Sequence, residues 1–307
     1  MKSILAIIGS VALATYFVLH NKTSSGLYES WKVQHGVEFL GEEDSFRRAI
    51  FEENMRVITE HNAKADATYK MGVNQFSAMT SDEFVSTYLG YIEKEDKLLG
   101  ISEDFEYDAD IDWTDKGVLT DIKDQGRCGS CWAFSATGAL EAMAKAKTGE
   151  LPSLSEQQLV DCSRSYGNMG CNGGLMDSAF KYTRDHGITT ESAYPYTAKD
   201  GSCKSFTSAF KNAGFTDVRG CSNLYTALAG RPVSVAVDAT NWSRYSSGVF
   251  NNCGTRLNHG VLLVGATDQF WTIKNSWSTS SGWGERGFIR ISRGNTCGLC
   301  NQPSYPN

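Results

Sequence analysis

The positions of the cysteines divide this chain into two parts. All nine cysteines lie at position 128 or later in the 307 residues, and residues 21–106 contain neither cysteine nor proline. Disulfides form in oxidising compartments, where they brace the domain that carries them. Because nine is an odd number, full pairing leaves one thiol over, and such a thiol is either incidental or reactive. The sequence therefore predicts a lead segment without disulfides (residues 21–106) and a disulfide-bonded body (residues 107–307).

The N-terminus has the pattern of a secretory signal. Lys2 precedes a run of apolar and small residues, and 11-VALA-14 contains an A-x-A-like cleavage site. A signal anchor is the alternative, because residues 16–19 extend the apolar run towards the length of a spanning helix. We expect a signal peptide over residues 1–20, cleaved between 14 and 25, and entry into the secretory pathway in either case. We expect no stable association of the body with a membrane.

Net charge and composition indicate which partners to exclude and how large a core the chain can form. The net charge of -6 and the absence of a Lys/Arg cluster argue against a nucleic-acid partner. The hydrophobic fraction of 41% is sufficient for one large core or two smaller ones.

The lead segment shows helical periodicity, and an acidic stretch separates it from the body. Spacings of three and four relate residues that share one helix face: Glu43, Arg47, Ile50, Phe51, Asn54, Ile58 and Asn62. Phe46, Ile50 and Ile58 add an apolar line along this helix. We interpret residues 93–112 as an exposed connector that is open to proteolytic cleavage.

The body is predicted to be α+β, with helices first and antiparallel strands later. A helix is expected from Cys131 to residue 148 with Gly149 as its cap, followed by a capping box at 155-SEQQ-158 and a third helix over 172–187. Runs of β-branched and aromatic residues predict strands over 232–239, 261–266, 270–277 and 287–293. This order suggests two lobes with a cleft between them.

The segment 127-RCGSCWAFSA-136 contains a Cys-x-x-Cys pair that three kinds of chemistry could use. A zinc site needs a second ligand pair, for which only 297-CGLC-300 is available, and thiolate zinc sites fit an oxidising compartment poorly. A thioredoxin-like dithiol follows a strand in a short βαβ unit, and here the tryptophan follows the second cysteine. The third interpretation, which we favour, makes Cys131 a lone nucleophile and Cys128 a structural cysteine.

A nucleophilic thiol needs a pKa lowered from about 8.5. The predicted helix start at Cys131 favours an anion, and a histidine brought alongside would favour it further. Three of the five histidines precede the body and His186 lies near a helix end, whereas His259 begins an apolar strand 128 residues after Cys131. Asn275 follows in 274-KNSW-277, which makes a Cys–His–Asn arrangement the leading hypothesis.

These residues resemble the papain/cathepsin L family of cysteine proteases, over nearly the whole chain. The family signature is met by 128-CGSCW-132 with His259 and Asn275 downstream. Further matches in order are 154-LSEQQLVDCS-163, 171-CNGGLMDSAF-180, 258-NHGVLLVG-265, 273-IKNSW-277 and 304-SYP-306. The resemblance implies a papain-like two-lobed fold, with a helical left lobe and an antiparallel β-barrel-like right lobe.

The lead segment is similar to the family's inhibitory propeptide, which makes the chain a zymogen. All positions of the propeptide helix motif from Glu43 to Asn62 are matched. The next motif, Gly-x-Asn-x-Phe-x-Asp, appears as Gly72, Asn74 and Phe76, but Ala78 stands where the aspartate linked to acid-triggered loosening is expected. The resemblance implies that the propeptide blocks the cleft against the substrate direction and that the mature enzyme begins near residues 105–112.

The resemblance also implies the catalytic roles. Cys131 thiolate and His259 imidazolium would form an ion pair, with Asn275 holding the imidazole and Trp277 covering that hydrogen bond. Gln125 and the Cys131 backbone N–H would donate to the oxyanion. No cofactor or metal is implied.

A second set of residues would bind the substrate. Gly173 and Gly174 would pair with the peptide backbone in antiparallel fashion, and Asn258, where the family often has Asp, would contact it too. The pocket for the residue two before the scissile bond would be walled by Leu175, Met176, Ala236 and Leu257, with Gln302 at its base. Apolar walls predict Leu, Phe or Val there, and a neutral base predicts poor acceptance of Arg. The chain lacks the sequence pattern of an occluding loop, the insertion that makes cathepsin B a dipeptidyl-carboxypeptidase. Only 40 residues separate Cys131 from Cys171, with no paired histidines between them. We therefore expect an endopeptidase and not a dipeptidyl-carboxypeptidase.

The family's bridges would be Cys128–Cys171, Cys162–Cys203 and Cys253–Cys297. Cys221 and Cys300 are left over by that set, and we predict that they form a fourth bridge. The implied partners are protein and peptide substrates, the chain's own propeptide and cystatin-type inhibitors, and we expect a monomer in a lysosome-like acidic compartment or outside the cell. The alternative functions are a catalytically silent binding homologue, which would require loss of a catalytic residue, and a redox enzyme.

Overall fold

Helices form the lead segment and the first half of the body. This computed structural model describes residues 26–94 and 107–307. The first helix, α1, includes described residues 26–35. The other helices are α2 (Gly41–Asn62), α3 (Ser81–Tyr88), α4 (Cys131–Thr148), α5 (Glu156–Cys162), α6 (Met176–His186) and α7 (Gly220–Gly230). Short 3₁₀ turns cover Arg164–Tyr166, Gly170–Asn172, Trp242–Arg244 and Thr296–Gly298.

The helix predictions for the body hold with two differences. Helix α4 has the expected limits, and Gly149 caps it with φ of 80°. Ser155 caps α5 by accepting the Gln158 N–H, but the Gln158 side chain donates to Tyr182 and Gly187 instead of closing the capping box. Helix α6 begins at Met176 and not at residue 172, because Gly173 and Gly174 are used as an extended edge of the cleft.

The strands form one open sheet of nine strands. They are β1 (Tyr69–Met71), β2 (Ile111–Asp112), β3 (Phe215–Asp217), β4 (Val233–Val237), β5 (Tyr245–Phe250), β6 (His259–Ala266), β7 (Phe270–Lys274), β8 (Phe288–Ser292) and β9 (Ser304–Pro306). The order is β1-β5-β8-β7-β6-β4-β9-β3, with β2 also paired to β6. Every pair is antiparallel except β5 with β8. The sheet of the described residues is therefore open and contains one parallel pair, where the expectation was an antiparallel, β-barrel-like lobe; the α+β architecture is confirmed.

Strand β1 belongs to the lead segment and extends the sheet of the body. Tyr69 pairs with Gly248 and Met71 with Tyr245 across β1 and β5. Strand addition of this kind uses main-chain hydrogen bonds at an otherwise unpaired edge. The lead segment thus docks partly as an extra strand.

Two buried clusters match the two expected lobes. One surrounds α4 and includes Trp132, Leu140 and Phe180. The other lies in the sheet and includes Trp242, Trp277 and Trp283. Strands β4 and β6 are buried along their whole length, because they lie between α4 and the rest of the sheet.

The lead segment has a small core of its own and shares a larger one. Tyr28, Trp31, Phe51 and Ala78 pack together, while Phe46, expected on the apolar line of α2, is 51% exposed. Farther along the chain, aromatic side chains of the lead segment join the sheet core of the body: Tyr69, Phe76, Phe84 and Tyr88. None of the helices in the described ranges is long and apolar enough to cross a membrane.

Candidate active site

Cys131 is the first residue of α4 and the one unpaired cysteine of the described chain. Its side chain is fully buried, and Ser130 precedes the helix as its N-cap residue. The Sγ atom accepts N–H hydrogen bonds from Gly260 of the body and Gly90 of the lead segment, each at 3.4 Å. Cys128 is bonded to Cys171, so the Cys-x-x-Cys pair is neither a dithiol nor a zinc ligand pair.

His259 lies at the start of β6, directly before the glycine that contacts Cys131. Its Nε2 donates to Asn275 Oδ1 at 2.9 Å, since an amide oxygen can only accept. The Trp277 ring stacks on the imidazole with centroids 4.8 Å apart and a 28° interplanar angle. With the proton on Nε2, the Nδ1 atom is left as the basic nitrogen, and it has no hydrogen-bond partner among the described residues.

Burial controls the charge of both side chains in this covered state. Burial raises the pKa of the Cys131 thiol, against the N–H donors that favour its thiolate. Burial lowers the pKa of His259 to about 4, and the hydrogen bond to Asn275 opposes that shift only partly. The covered site therefore favours a neutral thiol and a neutral imidazole over the expected ion pair.

Gln125 lies in the loop before α4, with its amide group fixed in one orientation. Its Oε1 accepts from Trp277 Nε1 at 3.0 Å and from Ser276 Oγ at 2.9 Å. Its Nε2 can then only donate, and it does so to the Tyr88 carbonyl at 2.9 Å and the Cys128 carbonyl at 2.8 Å. A carbonyl of the lead segment thus occupies the donor expected to serve an oxyanion.

The lead segment crosses the cleft as an extended chain. Gly174 N–H donates to the Gly90 carbonyl at 2.9 Å, and Ile92 N–H donates to the Gly174 carbonyl at 3.1 Å. Tyr91 N–H donates to the Asn258 carbonyl at 3.0 Å. The bridge between Tyr91 and Gly174 is parallel, whereas we expect a substrate to pair with Gly174 in antiparallel fashion. The lead segment therefore runs against the direction expected of a substrate.

Tyr91 fills the pocket predicted for a substrate side chain. Its ring packs in one buried cluster with Met176, Ala236 and Leu257, and Leu175 packs at the edge of that cluster. The Tyr91 hydroxyl donates to Gln302 Oε1 at 2.8 Å. The predicted wall and base residues are thus brought together around one aromatic side chain.

Backbone approaches in the cleft require glycine. A side chain on Gly173 would meet the Gly90 carbonyl oxygen at 2.8 Å, and one on Gly174 would meet the Trp132 ring at 2.7 Å. A side chain on Gly90 would overlap the Gly129 carbonyl. Both the lead segment and the body therefore depend on residues without a Cβ atom at this contact.

Beside His259, aromatic side chains of the lead segment cover Trp277. The rings of Phe76 and Phe84 each meet it edge-on with centroids 5.3 Å apart. Gln75 donates its side-chain N–H to the Trp277 carbonyl at 3.3 Å. These contacts bury the Trp277 ring, which stacks on the imidazole of His259.

Ala78, which occupies the position where the family has an aspartate, is buried beside Arg47. That arginine pairs with a different carboxylate, Glu83. Arg47 donates to the Ala78 carbonyl at 3.1 Å and makes a bidentate pair with Glu83 at 2.7 Å for each bond. The hydrogen bond from Arg47 lowers the pKa of Glu83 to about 2.

Some residues of the site were not predicted from the sequence. Ser276 orients the Gln125 amide, and Tyr196 donates to the Gln125 carbonyl at 2.8 Å while its hydroxyl lies 2.6 Å from Ser130 Oγ. Lys94 contacts Asp177 and lies 3.2 Å from Asp217, which fixes the end of the cleft segment. Two sequence features could have indicated these residues: Ser276 directly follows Asn275, and Tyr196 lies in 194-YPY-196.

The structure joins four pairs of cysteines. They are Cys128–Cys171, Cys162–Cys203, Cys221–Cys300 and Cys253–Cys297, the same pairs as anticipated above. Cys221–Cys300 ties the start of α7 to the segment before β9.

Comparisons with known proteins agree with this geometry. The papain family cysteine protease domain matches residues 107–307, and the cathepsin propeptide inhibitor domain matches residues 28–84. Cathepsin L 2 of Paramecium tetraurelia is 46% identical over 292 residues, with 92% of each chain covered. Procathepsin L of Mus musculus is 43% identical, with 93% of each chain covered. The solved structure of digestive procathepsin L 3 from Tenebrio molitor superposes with a TM-score of 0.81 at 39% identity, covering 92% of this chain and 98% of that one. The chain belongs to the papain family of cysteine proteases, as a cathepsin L-like zymogen whose lead segment is the inhibitory propeptide.

Proposed function

We propose that this cysteine protease uses Cys131 as nucleophile, His259 as general acid and base, Asn275 as the residue that holds the imidazole, and Gln125 as an oxyanion donor. The observation that carries the proposal is the occupation of the site by the propeptide. A propeptide N–H donates to Cys131 Sγ, and a propeptide carbonyl accepts from Gln125 Nε2. These are the positions at which the peptide group of a substrate would have to bind.

The chemistry follows from these positions. His259 Nδ1 takes the thiol proton, and the sulfur attacks the carbonyl carbon while Gln125 and the Cys131 N–H stabilise the oxyanion. The imidazolium then gives its proton to the leaving amine as the C–N bond breaks, which leaves a thioester on Cys131. Water, deprotonated by His259, attacks the thioester and releases the acid and the thiol.

Removal of the propeptide would change the charge state of this pair. Burial is the main cause of the raised thiol pKa and the lowered imidazole pKa, so opening the cleft to water weakens both shifts. The helix start at Cys131 then favours the thiolate. We expect the thiolate–imidazolium pair in the mature enzyme.

We propose an apolar preference at the residue two before the scissile bond, with Gln302 limiting acceptance of arginine. The contacts of Tyr91 support this pocket, since an aromatic ring fits the apolar walls and its hydroxyl reaches Gln302. The Gln302→Glu enzyme should raise cleavage after Arg-Arg relative to Phe-Arg sequences, because a carboxylate would pair with the guanidinium. The exposed Gln269→Glu variant should leave the ratio unchanged. An unchanged ratio in Gln302→Glu would place the pocket elsewhere.

The domain limits and the surroundings of the enzyme are also proposals. Signal, propeptide and peptidase would occupy residues 1–20, 21–106 and 107–307, with activation cleavage near residues 105–112; the first of these ranges and part of the cleavage region lie outside the described residues. The similarity to a procathepsin L and to a digestive cysteine proteinase supports the expectation of a lysosome-like acidic compartment or export. The protein would act as an endopeptidase on proteins and peptides, as a monomer, and bind cystatin-type inhibitors in the opened cleft.

An epoxide-type thiol inhibitor tests the assignment. The purified precursor should resist labelling at neutral pH, because the propeptide covers Cys131, and should be labelled at Cys131 after acid processing with loss of peptidase activity. A Cys131→Ser precursor cleaved by added mature enzyme serves as the control and should take no label. Peptidase activity that survives labelling, or label on another residue, would contradict the proposal.

A further inference from the structure

Arg244 lies on the side of the cleft where the leaving half of a substrate must run. It ends the 3₁₀ turn Trp242–Arg244, and Trp242 packs against His259 with ring centroids 6.0 Å apart. The propeptide runs against the substrate direction, and Tyr91 fills the pocket on the acyl side. Residues 72–77, which precede Tyr91 in the propeptide, therefore cover the leaving-group side of the cleft. On that side they contact the turn Trp242–Arg244.

The propeptide holds the backbone of this turn closely. Gly72 N–H donates to the Arg244 carbonyl at 2.9 Å, and the Asn74 side chain donates to the Ser243 carbonyl at 2.8 Å. Strand β1 then pairs with β5, which begins at the next residue. Cleavage and release of the propeptide expose all of these groups together.

The guanidinium of Arg244 is half-buried and has a neutral partner. Its Nη1 donates to Asn54 Oδ1 at 2.9 Å, and no carboxylate of the described residues lies within ion-pair distance of it. Burial lowers its pKa, and the acidic side chains among the described residues that act against this shift are Tyr69 and Glu53, both in the propeptide. The guanidinium fork suits a carboxylate partner, and here it has an amide oxygen instead.

Asn54 cannot be replaced by an acid without loss to the propeptide. Its amide N–H groups donate to the Ser77 carbonyl at 2.8 Å and the Met79 carbonyl at 3.2 Å, which a carboxylate could not do. The propeptide therefore caps Arg244 with a polar group that also holds its own loop. When the propeptide leaves, the body supplies no acidic group in exchange among its described residues.

We propose that Arg244 is a specificity-determining subsite of the mature enzyme, which binds an Asp or Glu side chain within the first four residues after the scissile bond. The proposal rests on the proposed catalytic function of Cys131. A guanidinium offers five N–H donors in a fork that fits a carboxylate. Asn54 would then be the propeptide's uncharged stand-in for that substrate side chain.

Internally quenched peptides test the proposal on the mature enzyme. They share an acyl side with Leu two before the scissile bond and carry either Ala or Asp at the second, third or fourth position after it. At the best position, Asp should raise kcat/KM about 2–5-fold over Ala, the range of a partly exposed ion pair. The advantage should shrink in 0.5 M salt, since exposed charges are then screened.

Variants separate this role from the alternatives. Arg244→Gln should abolish the advantage of Asp, Arg244→Lys should keep much of it, and Arg244→Glu should reverse it. Arg231→Gln, an exposed arginine beside the far end of α4, should behave like the native enzyme. Equal rates for Ala and Asp peptides in the native enzyme, or an advantage that survives Arg244→Gln, would overturn the proposal.

A dipeptidyl fluorogenic amide, which has no residues on the leaving-group side, distinguishes failure of this proposal from failure of the catalytic assignment. A native enzyme without activity on this amide would contradict the catalytic assignment, whereas a native enzyme that cleaves it but treats the Ala and Asp peptides alike would contradict only the subsite proposal. An Arg244 variant that loses activity on this amide and on both peptides alike is misfolded. The comparison is then repeated with Arg244→Lys, which is the mildest change.

Discussion

The propeptide and the body of this protein are held together by different means. Four disulfides brace the body, and a half-buried lysine, Lys123, pairs with two buried glutamates, Glu141 and Glu156, inside it. The described propeptide has no disulfide and relies on aromatic packing, one added strand and the Arg47–Glu83 pair. The difference shows how a chain can make one part removable while the other keeps its shape.

The two neighbouring cysteines of the body provide the sharpest contrast. Cys131→Ser should lower kcat at least about 10⁴-fold, because the nucleophile is lost, with little change in the unfolding midpoint. The double variant Cys128→Ser/Cys171→Ser should instead cost about 4 kcal/mol of unfolding free energy, since it releases a loop of 43 residues. Thermal unfolding and peptidase rates measured side by side check both; a large stability loss in Cys131→Ser would break the contrast.

The aromatic attachment of the propeptide can be broken by one substitution. Phe76→Ala removes a buried ring that touches Trp277, Phe84 and Tyr88, and such truncations cost about 3–5 kcal/mol. Propeptide inhibition should weaken about 10²–10³-fold, seen as earlier peptidase activity in the uncleaved precursor. Phe46→Ala, on an exposed side chain of α2, should leave inhibition unchanged, and an equal effect of both variants would contradict the role of the shared core.

Gln125 connects the two parts, because its amide contacts a propeptide carbonyl and serves the proposed oxyanion. Gln125→Ala should lower kcat of the mature enzyme about 10²-fold with KM nearly unchanged, the usual effect of losing one oxyanion donor. Pre-steady-state acylation rates with an ester substrate measure this directly. A change confined to KM would mean that Gln125 binds substrate without stabilising the transition state.

The smallest effect concerns acid. Because Arg47 lowers the pKa of Glu83 to about 2 from its ordinary 4.5, the pair stabilises the propeptide fully above pH 4.5, and that stabilisation is lost as the pH falls towards 2. Glu83→Gln should therefore speed processing of a Cys131→Ser precursor by added mature enzyme about 2–5-fold at pH 5, with a smaller difference at pH 3.

Glu60→Gln, which removes an exposed partner of Arg56 within the propeptide helix α2, is the matched control and should process like the parent precursor. An effect of Glu83→Gln that grows as the pH falls would contradict this assignment.

The parts of the structure that local chemistry determines could be predicted from the sequence. Gly149 ends α4 because a left-handed cap suits glycine, and Cys131 begins it. The proposed catalytic residues could be picked out because their motifs lie in order along the chain. The position of Tyr91 could not be predicted, since residues 89–94 have no periodicity and take their extended form from the walls of the cleft. Phe46 was misplaced because helical periodicity identifies a face but does not show whether another element covers it.

The fixed amide of Gln125 has a consequence for timing. Trp277 and Ser276 orient it while the propeptide is still in place, so no catalytic group has to be rebuilt after cleavage. A stored precursor would then gain activity without a lag beyond the time needed for cutting and dissociation. Regulation of such an enzyme then falls first on the compartment and on the initial cut.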